Sequence, residues 1–465
     1  MSIRKISLHN FRGFKDAEIE LKPLTVLLGP NSAGKSSFGH ALAAMSHAHR
    51  VFSGTPQANL TPDEEEAARW PVDLGNLDDL RTNGADGPVR VGIQTDAGLI
   101  ELGFGLDDPG SSLLPSYFRH PKGGEAAGTL IVAAPQDNAT PTSMTGTVAP
   151  TVAYQSNERT HFEVRRLNEQ QWRESGTASM VILDGLLLRS ITHERGTSAL
   201  LSGRARNELE FLLQHLTYLR ANRQRPLRTY AARRSGRGVP RLGYAGERSA
   251  AVLHLRAEEP VRYADLPKAG EEQEVKIVSD TLLPSVRAWL RRLGLAKSLR
   301  VDFSKRDPER LEVLVTLPGQ REHNIVEIVF GTSQVLPILI AGLLQPQDSL
   351  LIVDLPEAHL HPRPQLDLAD FFCSLALSGR FSLVETHSEM FFHRLRLRSE
   401  MHDALRDRIA VYFIDEPMNG LCCQPRRVGL SLDEQPDWPV GFLEEAWETE
   451  SQIEGVRRAK ARVEK

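Results

Sequence analysis

The sequence predicts an α/β fold: a mixed sheet flanked by helices, an antiparallel β lobe and an inserted α+β region. Three observations carry this prediction. A short apolar run at residues 24–28 is followed by a glycine-rich loop and then by Phe38, Leu42 and Met45 at helical spacing. Two further apolar runs, 350–354 and 381–384, end in polar groups, as buried strands do at the ligand-binding edge of an open sheet. Residues 1–28 also alternate, with Ile3, Ile6 and Leu8, then Ala17, Ile19 and Leu21, which is a strand pattern.

The loop at 29–37 reads Gly29, Pro30, Asn31, Ser32, Ala33, Gly34, Lys35, Ser36 and Ser37. Its glycines let the backbone fold back, so that successive N–H groups face phosphate oxygens. Lys35 is placed to neutralise the outer phosphates, and the Ser36 hydroxyl to ligate Mg²⁺. The helix that follows directs its positive end at the same point. ATP with Mg²⁺ is therefore the expected ligand pair.

Farther along, residues 61–70 are acidic and compatible with a helix, and 88–106 alternate again at Val89, Val91 and Ile93. Residues 108–160, rich in Gly, Pro, Ser and Thr, read as loops and short strands. Residues 208–219 carry Leu209, Leu212, Leu213 and Leu216 on one helical face. The stretch 220–241 then holds Arg220, Arg223, Arg225, Arg228, Arg233, Arg234, Arg237 and Arg241 without one Asp or Glu. Such a field suits DNA phosphates, but a solvated loop, a partner-binding arm or arginines reaching the nucleotide read equally from it. Residues 275–295 look largely helical, with Pro284 as a break or a start, and 311–317 look like a strand.

At 330–334 the chain reads FGTSQ ahead of an apolar helix, so Gly331, Thr332 and Ser333 are expected to cap it and to offer a second phosphate-binding end. One ATP is not easily wrapped by both helix ends of one sheet. A homodimer in which each Ser333 closes the other subunit's site resolves this. The strand at 350–354 ends in Asp354, expected beside the phosphate loop as a second Mg²⁺ ligand. Glu357 follows as the candidate for polarising water. The strand at 381–384 leads into Glu385, Thr386, His387 and Ser388, and His387 is placed to bond a γ-phosphate or the attacking water.

Composition narrows the setting. A net charge of −4 gives no global nucleic-acid signature, so any such contact is a local patch. Cys373, Cys422 and Cys423 are too few for a disulfide framework and lack metal-ligand spacing, which fits a reducing cytoplasm. The N-terminal stretch has no signal-peptide apolar run, and the longest apolar run, 335–344, is about half the ~20 residues that cross a bilayer. No membrane partner is expected. The chain divides into 1–107 and 311–420 as two halves of one nucleotide-binding body, with 108–310 inserted and 421–465 as an extension.

Taken together, these motifs resemble the ABC-type ATPases of the RecF, SMC and OLD-like group. Residues 8–14, LHNFRGF, resemble that group's N-terminal strand and turn, which implies that Arg12 reaches the nucleotide. Residues 29–37 resemble its Walker A loop, 330–334 a shortened signature motif, 354–362 a Walker B segment running into a D-loop, and 386–388 its switch histidine. A more detailed likeness, at 72–75, 218–220, 330–339, 384–398 and 436–442, is to bacterial ATPases with a C-terminal domain of unknown function. The resemblance implies an ABC-type head whose ATP-closed dimer acts as a switch, in anti-phage defence with a separate effector protein. DNA repair of the RecF kind and a low-turnover ATP-binding scaffold are the alternatives. One position departs from the group: Leu355 stands where a catalytic Glu follows the Mg²⁺ carboxylate. Either Glu357 takes that role from two residues on, or hydrolysis is slow.

Overall fold

The computed structural model describes residues 3–52, 82, 89–95, 98–104, 115–119, 128–132, 152–154, 160–166, 174–184, 187–193, 196–199, 203–232, 241–267, 274–328, 330–415 and 423–431. The expected helix at 61–70, the motif stretches 72–75 and 436–442, Arg233, Arg234, Arg237 and Cys422 lie outside these residues.

The centre is a six-stranded sheet in the order Thr217–Leu219, Leu350–Asp354, Phe381–Glu385, Leu24–Leu28, Ile409–Ile414, Pro425–Val428. The first five strands run parallel and the last is antiparallel. Parallel strands are covered on both faces and so read as unbroken apolar runs. Alternate side chains divide between two cores. Leu24, Val26, Leu351, Val353 and Val384 enter one, with the helices Phe330–Leu344 and Pro362–Leu377. Leu27, Leu350, Ile352 and Leu383 enter the other. That second core also holds Phe38 and Leu42 of the helix Ser36–Phe52, Leu209, Leu212 and Leu213 of the helix Gly203–His215, and Ile6, Leu8 and Ile19.

The alternating N-terminal segment forms the hairpin Ile3–Phe11 and Phe14–Glu20, part of a five-stranded antiparallel sheet with Val89–Thr95, Gly98–Phe104 and Pro115–Arg119. A separate six-stranded sheet spans strands between Gly128–Val132 and Gly196–Ala199. Mixed α/β architecture with an antiparallel lobe is thus what the chain adopts.

Three local expectations are corrected. The helix expected over 208–219 ends at His215, because Thr217–Leu219 pairs in parallel with Leu351, Ile352 and Val353 as the edge strand. Residues 276–281 form a strand paired with Pro260–Asp265, and the helix starts only at Leu282, with Pro284 in its first turn, where a missing N–H costs nothing. The third concerns 330–334: the helix Phe330–Leu344 begins one residue before Gly331, so Gly331, Thr332 and Ser333 are its first turn and not a preceding cap. Phe330 meets the His359 ring edge-on at 4.7 Å, which anchors that early start. The central sheet also takes strands from 217–219 and 425–428, placed in the insertion and the extension by the sequence division.

Candidate nucleotide site

The site is built at the C-terminal edge of the parallel sheet, where three strands release their chains. Leu24–Leu28 opens into the phosphate loop, and the loop's glycines are dictated by geometry. A Cβ on Gly29 (φ +142°) would lie 2.3 Å from the Ile414 carbonyl oxygen, and one on Gly34 (φ +89°) would lie 3.0 Å from the Phe14 ring. Ser32 is also left-handed at φ +67°, so the loop bends through successive positive-φ positions. Gly29→Ala is expected to abolish nucleotide binding while strands on either side persist; an unchanged nucleotide affinity by isothermal titration would refute this requirement.

Lys35 is buried, and its ammonium donates to the carbonyls of Gly29 at 3.0 Å and Pro30 at 2.6 Å. It is thereby folded against its own loop, over the place where phosphate oxygens would compete for its protons. Burial lowers its pKa, opposed by Glu385 and Glu357.

The phosphate-loop strand is flanked by Phe381–Glu385 on one side and Ile409–Ile414 on the other, and Leu350–Asp354 lies one strand beyond Phe381–Glu385. Glu385 thus ends the strand between the loop and Asp354. Asp354 and Glu385 pair across the register, so both carboxylates leave the sheet at one level. Asp354 instead reaches over the first turns of the helix Ser36–Phe52: its Oδ1 lies 3.9 Å from where a Gly39 Cβ would stand. The Ser36 side chain favours the charged Glu385 carboxylate and lowers its pKa against the effect of burial.

Glu357 sits in a tight run of turns after Asp354, with Leu355 left-handed at φ +44° and His359 at φ +65°. That geometry returns the chain so that the Glu357 Oε1 accepts the His387 backbone N–H at 2.7 Å. His387 itself stands at the exposed rim, just before Ser388, which caps the helix Glu389–Met401 by accepting from the Phe391 N–H at 3.0 Å. Lys35, Ser36, Asp354, Glu357 and His387 are thus brought together by the fold.

Sequence reasoning missed four groups here. Glu385 was read only as the end of an apolar strand. Tyr218 donates its hydroxyl to Asp354 Oδ2 at 2.5 Å, and burial together with Asp354 raises its pKa. Arg223 is buried and donates to the carbonyls of Asp354 and Leu355, each at 2.9 Å, pinning the left-handed Leu355. His40 lies 3.8 Å from Asp354 Oδ2 through Nε2 and 3.0 Å from Arg12 Nη1 through Nδ1. Tyr218 and Glu385 carried a sequence signal as parts of the 218–220 and 384–398 likenesses, Arg223 only as one of the arginine run, and His40 none.

The donor set fits Mg²⁺. Asp354 is pushed up in pKa by burial and then by Glu385, and Glu385 by burial and also by Glu357, against Ser36 and Lys35. Glu357 is raised by burial as well. One buried oxygen each on Glu385 and Glu357 lacks a hydrogen-bond partner among the described residues. Clustered buried carboxylates with spare lone pairs are stabilised by a cation. Among the described residues, no group of three or more His, Cys, Asp or Glu could hold a metal by itself. Mg²⁺ commonly binds through one or two carboxylates plus substrate phosphates, so Ser36 and Asp354 with a nucleotide suffice.

Two further expected elements have their own surroundings within the chain. The Ser333 hydroxyl donates to the Phe330 carbonyl at 2.6 Å within its own helix, beside a small cavity lined by Gln224, Arg225 and Tyr230. Among the described residues, the arginine run does not form one uniform cationic face. Arg223 points inward, Arg228 pairs with Glu327 at 2.9 Å, and Arg220 donates to the Asn222 carbonyl at 3.1 Å. Among its described members, Arg220, Arg225, Arg228 and Arg241 are exposed. No helix among the described residues is long and apolar enough to cross a membrane.

Comparison with known proteins agrees on the nucleotide end of the chain. Residues 1–83 match the family described as AAA ATPase domain, which covers the phosphate loop. Among solved structures, the Smc head bound to the C-terminal winged-helix domain of ScpA is 11% identical, covering 92% of this chain and 99% of that one, with a TM-score of 0.42. The SMC head domain from Thermotoga maritima is 11% identical over 92% of this chain and 99% of that one, with a TM-score of 0.33. The Smc head with an extended coiled coil bound to the C-terminal domain of ScpA, from Pyrococcus furiosus, is 10% identical over 97% and 99%, with a TM-score of 0.39. Likenesses at this level carry no conclusion about activity or partners. No curated protein matches the chain. The family match and the local geometry together describe a P-loop site of the ATPase type, entered from residues 24–45.

Proposed function

We propose that the chain binds and hydrolyses ATP with Mg²⁺ and works as a nucleotide-gated dimeric switch. One observation carries this reading: Asp354, Glu357 and Glu385 converge with Lys35 and Ser36 at the same edge of one parallel sheet, above a loop that only glycines can form. In that arrangement the loop N–H groups and Lys35 hold the β- and γ-phosphates, and the first turn of the helix Ser36–Phe52 adds its positive end. Mg²⁺ held by Ser36 and Asp354 supplies charge neutralisation across the phosphates. Glu357, fixed by the His387 N–H through one oxygen, keeps the other for the attacking water. His387 at the rim is placed to bond the γ-phosphate.

Glu357→Gln is expected to cut phosphate release by about 10²-fold or more, the usual contribution of a general base. An ATP-bound dimer should then accumulate on size-exclusion chromatography with light scattering. Glu385→Gln serves as the comparison. If it halts turnover while Glu357→Gln does not, the base is Glu385.

Leu355 favours a second reading, an ATP-bound scaffold with little turnover, because the position after Asp354 holds a side chain that cannot activate water. Phosphate release at the background rate, despite tight ATP binding, would select it. The defence setting, a separate effector and DNA contact along 220–241 belong to the proposal as extensions of the family resemblance. Unchanged plaque counts in cells carrying the locus would remove the defence role, and a DNA affinity insensitive to salt would remove the contact.

A further inference from the structure

Arg12 does not simply extend toward the loop. It occupies a two-residue turn between the paired Phe11 and Phe14, at φ +52°, in the left-handed region that strains a non-glycine residue. Its Nη1 lies 3.0 Å from His40 Nδ1. A guanidinium only donates, so Nδ1 must be the acceptor and the neutral ring carries its proton on Nε2. Burial, and then Arg12, lowers the His40 pKa to about 4, which agrees with a neutral ring. The Nε2–H side faces Asp354 Oδ2 at 3.8 Å. The same oxygen accepts the Tyr218 hydroxyl at 2.5 Å, and the His40 and Tyr218 rings meet edge to face at 5.9 Å. Gly39 packs closely here: a Cβ on it would stand 3.0 Å from Ile352, with Asp354 Oδ1 in ordinary contact at 3.9 Å.

These contacts form a continuous path from the N-terminal hairpin, through the helix of the phosphate loop, to the metal carboxylate. We propose that His40 is a positioning residue for Asp354, and that Arg12 acts on the metal site through His40. The inference rests on the reading of Asp354 as an Mg²⁺ ligand. Tyr218 donates to Oδ2, and His40, its tautomer set by Arg12, faces the same oxygen, so the two together limit rotation of the carboxylate and leave Oδ1 for the metal. Groups that orient a metal ligand commonly change metal affinity by about 10–100-fold when removed.

The test uses the full chain and a fluorescent ATP analogue, titrated with Mg²⁺ at fixed nucleotide. His40→Leu should raise the Mg²⁺ concentration for half-maximal tightening about tenfold, leaving metal-free nucleotide affinity unchanged. His40→Gln should restore the wild-type requirement, because an amide offers an acceptor and a donor on similar sides. Arg12→Ala should raise the requirement alone, yet add nothing to His40→Leu. Full additivity of the two substitutions, or an unchanged Mg²⁺ requirement in His40→Leu, would overturn the inference. Wild-type protein whose nucleotide binding ignores Mg²⁺ would overturn the functional reading, and this inference with it.

Discussion

Lys35→Ala is expected to lower Mg²⁺-dependent phosphate release by about 10³-fold or more, to the background of the assay. The ammonium is buried at the loop, and its present acceptors are two carbonyls of its own backbone. Phosphate oxygens carry more charge than carbonyls, so the ammonium transfers to them on binding and then strengthens its contact as charge develops on the transferring group. Truncation removes that stabilisation. It also leaves Glu385 facing Glu357 without the cation that opposes its raised pKa. Mutual repulsion should then disfavour nucleotide as well. Lys35→Arg does not repair this, since a planar guanidinium cannot occupy the space between the Gly29 and Pro30 carbonyls as a compact point charge does. Turnover within tenfold of wild type in Lys35→Ala would show that these phosphates are held by other groups.

Asp370→Ala should destabilise the fold by about 3–5 kcal/mol, the range for removing one partner from a buried ion pair. Asp370 is completely buried on the helix Pro362–Leu377. Its Oδ1 accepts from Arg398 Nε at 2.7 Å and Arg394 Nε at 3.0 Å. Its Oδ2 accepts from Arg398 Nη2 at 2.7 Å, Arg292 Nη2 at 2.9 Å and Arg394 Nη2 at 3.1 Å. One carboxylate thus ties the helices Leu282–Arg292 and Glu389–Met401 to its own, which packs on the strand that ends at Glu385 and leads to His387. Burial alone would raise the Asp370 pKa, and Arg398, Arg394 and Arg292 outweigh it, holding it below the ordinary 3.8. The sign of the linkage follows. A depressed carboxylate contributes stability that is present above its unfolded pKa and lost as pH falls through the folded one, so acid should unfold the wild type where the alanine variant gains no further loss from this group. Denaturant titration measures both effects. A loss below about 1 kcal/mol would mean that water or another anion compensates the three arginines.

The sequence made the phosphate loop legible because its demands are local. Gly29 and Gly34 are there to satisfy φ angles and close approaches within a few residues, and Lys35 and Ser36 follow at fixed spacing. Parallel strands were legible for a related reason: burial on both faces leaves Leu350 to Val353 apolar without interruption. The partners of Asp354 were not legible. Tyr218 and Arg223 arrive from more than a hundred residues away, and only the order of strands brings them to its carboxylate and carbonyl. Glu385 gained its place in the same manner, since nothing in 381–388 says which strand adjoins the loop. The helix expected through Leu219 failed because a leucine pattern continued past His215 while sheet pairing took Thr217–Leu219. The arginine run looked uniform in one dimension, yet Arg223 turns inward to bind carbonyls and Arg228 meets a carboxylate supplied by residue Glu327.

Hydrolysis of ATP is assigned to the edge formed by Lys35, Ser36, Asp354, Glu357 and Glu385. Phosphate release by purified wild-type protein, with Mg²⁺ and with a chelator, beside Lys35→Ala, is the most direct measurement. It should be Mg²⁺-dependent in the wild type, and absent both with the chelator and in the variant. ATP binding with no phosphate released above the Lys35→Ala background, at protein concentrations where the dimer is present, would contradict it.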